Sequence, residues 1–460
     1  MRSMEKRHHT RALLFICWMA FVLIACNLGT SEEQPILEAR PSPTPAPTIG
    51  YSPLGPAELP GQAAAVSNLR GAELLNLLNE VETDRLIAHI GTLQSFHTRH
   101  VNSPKDNGSR GIGAAQRYIE SQFEQIQNES QGALQYFTHP FELVYNGETT
   151  LQHNVVATIT GTEPNAGVIL LGAHYDSVYL NLDDAEAFAP GADDNGSGVA
   201  ILIELARILS KRPHRMTIMF VAFSAEEVGR VGSRRFVEEY IKRLNIPLVA
   251  MFNLDTLGSN NDKQGNVQDN LIRVFSAGPD NSPSRQLARM VNFMAFNYGP
   301  GTDLVIYEEI DREGRYGDHE SFSESGYAAI RFIESLEEHV NGDPEDIVQD
   351  IEPAYLAQNA KTLLAVVTAM ADGPRPPRNI SLRDVGGGLR RVVWEPVPDA
   401  VSYVIALRSP GSTIFNQQFE VTDNFVDWDG FNSARFVSFA VAAKDANGLI
   451  GPLSAEYTIP

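Results

Sequence analysis

Only two cysteines occur in 460 residues, so no disulfide framework organises this chain. Cys17 lies inside an N-terminal apolar run and Cys26 closes it, so stability has to come from packing and bound metal. Basic charge is also scarce. Lys and Arg number 36 against 57 Asp and Glu, for a net charge of −21, and no dense basic cluster appears beyond the extreme N-terminus. A phosphate backbone therefore finds no landing surface, and nucleic acid is excluded as a partner. Long apolar runs are missing too. The stretch from Ala12 to Ala25 falls short of the ~20 residues that a spanning helix needs. With 43% hydrophobic residues, the chain can nevertheless fill more than one core, and its length calls for at least two domains.

Arg2, Lys6, Arg7 and Arg11 form a cationic head before the apolar run, the order of an export signal. Leu23-Ile24-Ala25-Cys26 resembles the lipobox of bacterial lipoproteins. That resemblance implies a signal peptide over residues 1–25, lipid on Cys26, and an extracytoplasmic protein anchored to the membrane at the cell surface. Residues 26–70 read as a tether, because the prolines between Pro41 and Pro47 favour extended polyproline II. A second proline cluster at 374–377 follows the helix-like stretch from Ala354 to Met370 and marks a boundary. Residues 71–372 are the enzyme candidate, and residues 376–460 form a separate module.

Within the enzyme candidate, Ile112, Ala115, Ile119, Phe123 and Ile126 recur at helical spacing. Val168 to Leu171, Thr217 to Phe223, Leu248 to Leu254 and Ala328 to Ile333 are short apolar runs of the kind buried in a sheet covered on both faces. The fold class expected is α/β, a three-layer α/β/α domain followed by a small all-β sandwich. Five segments carry metal-binding side chains. They are His174-Tyr175-Asp176, Gly191 to Gly196 with Asp193 and Asp194, Glu226-Glu227, Asn253-Leu254-Asp255, and Glu338-His339. The first, third and fourth follow apolar runs directly, where open α/β sheets place their sites. Brought together, two imidazoles and several carboxylates are the donors that hold a pair of zinc ions over an activated water, a site that hydrolyses amide bonds. Taken singly, Asp193 to Gly198 also reads as a helix-capping turn and Glu226-Glu227 as a solvated pair.

Gly172 to Val178, Pro190 to Gly198, Phe223 to Gly229 with Gly232-Ser233, and Asn253 to Asp255 resemble the co-catalytic zinc aminopeptidases of family M28, over roughly residues 109–370. The resemblance implies that His174 and Asp255 bind one zinc, Glu227 and His339 the other, and that Asp194 bridges both. It makes Glu226 the general base and sets Asp176 behind His174 as its orienting partner. Asp318-His319-Glu320 resembles a further segment of the family, with Gly317 where serine is commoner, and makes His319 a histidine that lines the cleft or stands behind the residues that do. The implied activity is that of a zinc exopeptidase, an aminopeptidase acting on peptides or small proteins. Rival readings are a glutaminyl-cyclase-like acyltransferase with one zinc and a carboxypeptidase-type relative with a basic residue aimed at the substrate carboxylate. A non-catalytic surface binding protein is the rival from another class. Trp394, Tyr403 to Leu407 and Phe436 to Ala443, ending at the turn Asp445 to Gly448, resemble a fibronectin type III sandwich, a module for spacing or for binding a surface ligand.

Overall fold

The computed structural model describes residues 50–67, 72–309, 315–339 and 341–460. The expected signal, Cys26 and residues 26–49 lie outside them. Among the described residues no helix is long and apolar enough to cross a membrane.

Eight strands form one sheet: β1 (Leu134–Tyr145), β2 (Glu148–Ile159), β3 (Val168–His174), β4 (Thr217–Phe223), β5 (Leu248–Leu254), β6 (Leu271–Ser276), β7 (Asp303–Tyr307) and β8 (Ala329–Ile333). Their order is β1-β2-β4-β3-β5-β8-β6-β7. The four central strands, β4, β3, β5 and β8, run parallel, while the β1–β2 hairpin joins β4 antiparallel at one edge. All seven residues of β3 are buried, as an apolar run without alternation requires when helices cover both faces. Its side chains part by period two. Ile169, Leu171 and Ala173 enter one apolar core, and Val168 and Leu170 enter another on the opposite face. β4 divides in the same way.

The first core is filled by α1 (Thr83–Gln94), α2 (Ile112–Glu129), α3 (Gly198–Leu209), α5 (Pro283–Tyr298) and α7 (Pro353–Asp372). The second takes Phe236 from α4 (Val231–Phe236), Val237 and Ile241 just beyond it, and Phe322 from α6 (His319–Ser323). This is the expected α/β/α arrangement. In α2, the residues expected at helical spacing, Ile112, Ala115, Ile119, Phe123 and Ile126, are all buried. Because β3, β4 and β5 are parallel, their carboxyl ends and the loops that follow share one edge of the sheet.

The C-terminal strands form two antiparallel sheets. β9 (Ser381–Gly386), β10 (Leu389–Val393) and β13 (Phe425–Trp428) make the smaller one, and β11 (Ala400–Arg408), β12 (Gln417–Val421), β14 (Ser438–Asp445) and β15 (Tyr457–Thr458) belong to the larger. Trp394, Tyr403, Trp428, Phe431, Phe436 and Phe439 fill the space between them. The larger sheet is covered on its outer face as well, where Val404, Ala406, Ala440 and Ala442 join the main core of the α/β domain. Asn297 of α5 and Gln418 of β12 exchange side-chain hydrogen bonds at 3.3 and 3.0 Å across this contact.

The tether reading needs correction over its described part. Residues 50–67 run along the C-terminal module, where Ala63 and Ala64 pair antiparallel with Val421 and Glu420 as a fifth strand of the larger sheet. Leu54, Leu59 and Ala63 pack on the module's core, and the Tyr51 ring lies 3.9 Å from that of Phe296 on α5. The reason is apolar: these side chains find a surface that a free tether would leave exposed to water.

Candidate metal centre

His174 ends β3 at 1% exposure. Its Nδ1 lies 3.2 Å from the carbonyl oxygen of Asp176. A proton donated there leaves the Nε2 lone pair facing Asp194 Oδ1 at 3.1 Å and Asp255 Oδ1 at 3.4 Å. Both of those oxygens are buried without a hydrogen-bond donor among the described residues. Converging lone pairs with nothing between them are costly, and a cation relieves the cost. Ligand atoms of His174, Asp194 and Glu227 all lie within 4.8 Å of one another, and one imidazole with two carboxylates is a zinc donor set. The residues therefore fit the metal.

Electrostatics say the same. Burial pushes the His174 pKa down, but the carboxylates of Asp194 and Asp255 that face it outweigh this and hold the ring well above its ordinary 6.5. Burial, reinforced by Asp318, Glu227 and Asp255, pushes Glu226 well above the usual carboxylate range. Glu227 is pushed up to about 8 by burial and by Asp194. Without a metal, then, the cluster takes up protons where cations would otherwise sit. Asp255 behaves in the opposite way. Burial alone would raise it, but Arg331 at 2.9 Å and His174 hold it below the usual range.

Two buried carboxylates fix the loops. Asp176 accepts the backbone N–H of Glu226 and of Glu227, each at 3.1 Å. Its Oδ1 stands 3.8 Å from His174 Nδ1, so it lies beside the ring as expected while its hydrogen bonds hold the Glu226 turn. Asp346 accepts from the backbone N–H of Asp193 at 2.7 Å and of Asp194 at 3.0 Å. Sequence reasoning assigned Asp346 no role, since a partner 153 residues away leaves no local signal.

The expected ligands do not all meet. His174, Asp194, Glu227 and Asp255 converge, but His339 is not in the group. Its Nδ1 lies 3.4 Å from Asp343, while its Nε2, 3.5 Å from Asp350, is buried without a hydrogen-bond partner among the described residues. Asn341 of the same loop reaches Glu227 instead, donating from Nδ2 at 2.7 Å. Of the two places expected for His319, the structure leaves the one behind the lining: it is fully buried at the start of α6, and burial and the nearby Arg331 drive its pKa down to about 3.

A cleft of about 300 Å³ opens over the cluster, lined by His174, Asp194, Glu226, Glu227 and Asp255 together with Arg230, Arg234, Arg315, Tyr316, Arg331 and Asn341. The arginines escaped sequence reasoning. Gly317 helps admit one of them, because a Cβ there would stand 2.9 Å from Arg331 Cδ.

The description "Peptidase family M28" matches residues 154–367. A protein of Pyrenophora tritici-repentis described as "Probable zinc metalloprotease" is 31% identical over 344 residues, 67% of this chain and 79% of its own. Among solved structures, the LapA aminopeptidase of Legionella pneumophila superposes with a TM-score of 0.52 at 22% identity, over 66% of this chain and 75% of its own. An aminopeptidase from Aneurinibacillus sp. strain AM-1 superposes with a TM-score of 0.51 at 19% identity, over 65% and 96%. At those identities, the structural likeness speaks for the fold alone.

Proposed function

The chain belongs to peptidase family M28, whose zinc-dependent hydrolysis it shares, and from that premise we propose that it is an aminopeptidase holding two zinc ions. The observation that carries the reading is the convergence of His174, Asp194 and Glu227, with Asp255 on the same ring and Glu226 facing the same cleft. His174 and Asp255 would hold one ion, Glu227 the other, and Asp194 would touch both. His339 is kept in the proposal as the remaining donor, because its loop already reaches Glu227 through Asn341. Bound zinc supplies a Lewis acid for the scissile carbonyl and lowers the pKa of a water from about 15.7 to about 7.

Glu226 lies outside the donor group yet lines the cleft, the position of a proton carrier. It takes the proton of the attacking water and returns it to the leaving amine. Asp176 keeps the Glu226 carboxylate in place by gripping its backbone N–H. A cleft of about 300 Å³ is at the small end of ligand sites and suits one or two residues of a peptide, so the substrate is a chain end. The discriminating assay offers free-amine, N-blocked and N-terminal glutaminyl peptides, each with and without a chelator. Chelator-sensitive release of the first residue from free-amine peptides alone is expected. Cleavage of N-blocked peptides, or cyclisation without cleavage, would refute the reading.

The proposal extends to location. Lipid on Cys26 would hold the enzyme at the outer face of a membrane, with the acidic chain adding no polybasic attraction. Mass spectrometry finding Cys26 unmodified in the native protein would refute that part.

A further inference from the structure

Four arginines line the cleft of a chain in which acidic residues outnumber basic ones by 57 to 36. Three of them have carboxylate partners. Arg331 is held by Asp255 at 2.9 Å, Arg315 by Glu337 at 3.1 Å, and Arg230 by Glu320 in a buried pair that also sets its guanidinium 5.0 Å from the Tyr316 ring. Arg234 differs. It is exposed, lines the same cleft, and has no ion pair or side-chain hydrogen bond among the described residues. It lies in the first turns of α4, four residues after Arg230, which caps that helix. An unpaired guanidinium in a protein so rich in carboxylates is a donor fork waiting for an acceptor, and planar carboxylates fit it with two parallel bonds.

The rest of the lining explains which acceptor. Asp194, Glu226, Glu227 and Asp255 are its acidic members, and in the proposed zinc-loaded state the metal charge offsets the ligating carboxylates among them. Carboxylates of the chain already hold Arg331, Arg315 and Arg230, so Arg234 is the guanidinium left to meet a peptide. Resting on the peptidase reading above, we infer that Arg234 receives a carboxylate of the substrate and so sets a preference for peptides that carry one next to the scissile bond. Arg230 and Tyr316 form the rigid floor against which it works. The carboxylate has two chemical sources, an Asp or Glu side chain or the free α-carboxylate of a very short peptide.

The test uses zinc-loaded full-length protein and matched substrate pairs. One pair differs only by Glu against Gln beside the scissile bond with an amidated C-terminus, and the other by a free against an amidated C-terminus in a neutral dipeptide. The acidic member of at least one pair is expected to be favoured about ten-fold or more in kcat/KM, and the pair that shows it names the source. Arg234→Ala should bring that ratio down about ten-fold or more, with Arg234→Lys in between, while Arg235→Ala on the adjacent exposed position leaves the ratio unchanged. Raised salt should shrink the ratio in the wild type, because the contact is exposed. Ratios near one in the wild type, or a ratio untouched by Arg234→Ala, would overturn the inference and leave the peptidase reading intact. A fall in zinc content of Arg234→Ala with an unchanged ratio would overturn it too, by making the arginine a charge balance for the metal centre. Absence of any chelator-sensitive cleavage by the wild type would overturn both.

Discussion

Asp176 and Asp346 perform the same task at two places. Each holds two consecutive backbone N–H groups with its carboxylate, those of Glu226 and Glu227 for one and of Asp193 and Asp194 for the other, and Glu226, Glu227 and Asp194 line the cleft. Hydrogen bonds to a charged acceptor contribute about 1.5–3 kcal/mol each, enough to hold a turn in one conformation. The side chains of the site are thus free for chemistry because other residues carry the backbone. Glu226→Gln should leave zinc content near that of the wild type, since Glu226 is outside the donor group, and lower turnover by ~10²-fold or more. Near-normal turnover measured on metal-replete mutant would remove its role as base. The histidines separate by a different measurement. His339→Ala should lower zinc content more than His319→Ala, whose ring lies outside the cleft wall. Elemental analysis giving the reverse order would expel His339 from the proposal.

At the level of elements, α1 carries a buried titration. His89 sits between α1 and α2 with Nδ1 2.7 Å from the Tyr118 hydroxyl, and burial with nearby Arg85 lowers its pKa to about 4. The unfolded chain protonates this ring near 6.5, so the folded state binds fewer protons between the two values. Its contribution to stability is complete above about pH 6.5 and lost as pH falls toward 4, up to about 3 kcal/mol. His89→Gln should flatten that part of the pH dependence, visible as a smaller difference between urea midpoints at pH 7 and pH 5 than in the wild type. An unchanged difference would mean that the ring is not the titrating group. Elements of this kind were the most legible feature of the sequence. The runs at β3, β4, β5 and β8 and the spacing in α2 announce themselves because burial on one or both faces leaves a local period. What stayed hidden depends on distant partners. Arg331 reaches Asp255 past Gly317, where a Cβ would stand 2.9 Å from its Cδ, an approach that no local pattern announces, and the strand Ala63–Ala64 is too short to show a period. His339 illustrates the third case, a side chain that family resemblance sends to the metal and that lies beside Asp343 and Asp350 instead.

The whole molecule is bound together through its C-terminal module. The larger sheet buries one face in its own core and the other against the peptidase domain, and residues 50–67 lie along its edge. A version of the chain beginning at residue 72 loses the packing of Leu54, Leu59 and Ala63 and exposes the edge of β12. Two half-buried leucines are worth about 2 kcal/mol together, so a melting temperature lower by a few degrees than that of a version beginning at residue 50 is expected in calorimetry. Identical melting curves would show that the segment adds nothing. The Ala63–Val421 pairing also has a mechanical meaning. Tension applied upstream of residue 50 would be borne first by the Tyr51–Phe296 contact and by the bond from the Ser52 N–H to the Asn416 carbonyl, and then by that pairing. The load would therefore be divided between α5 and the module's larger sheet before the strand sheared away.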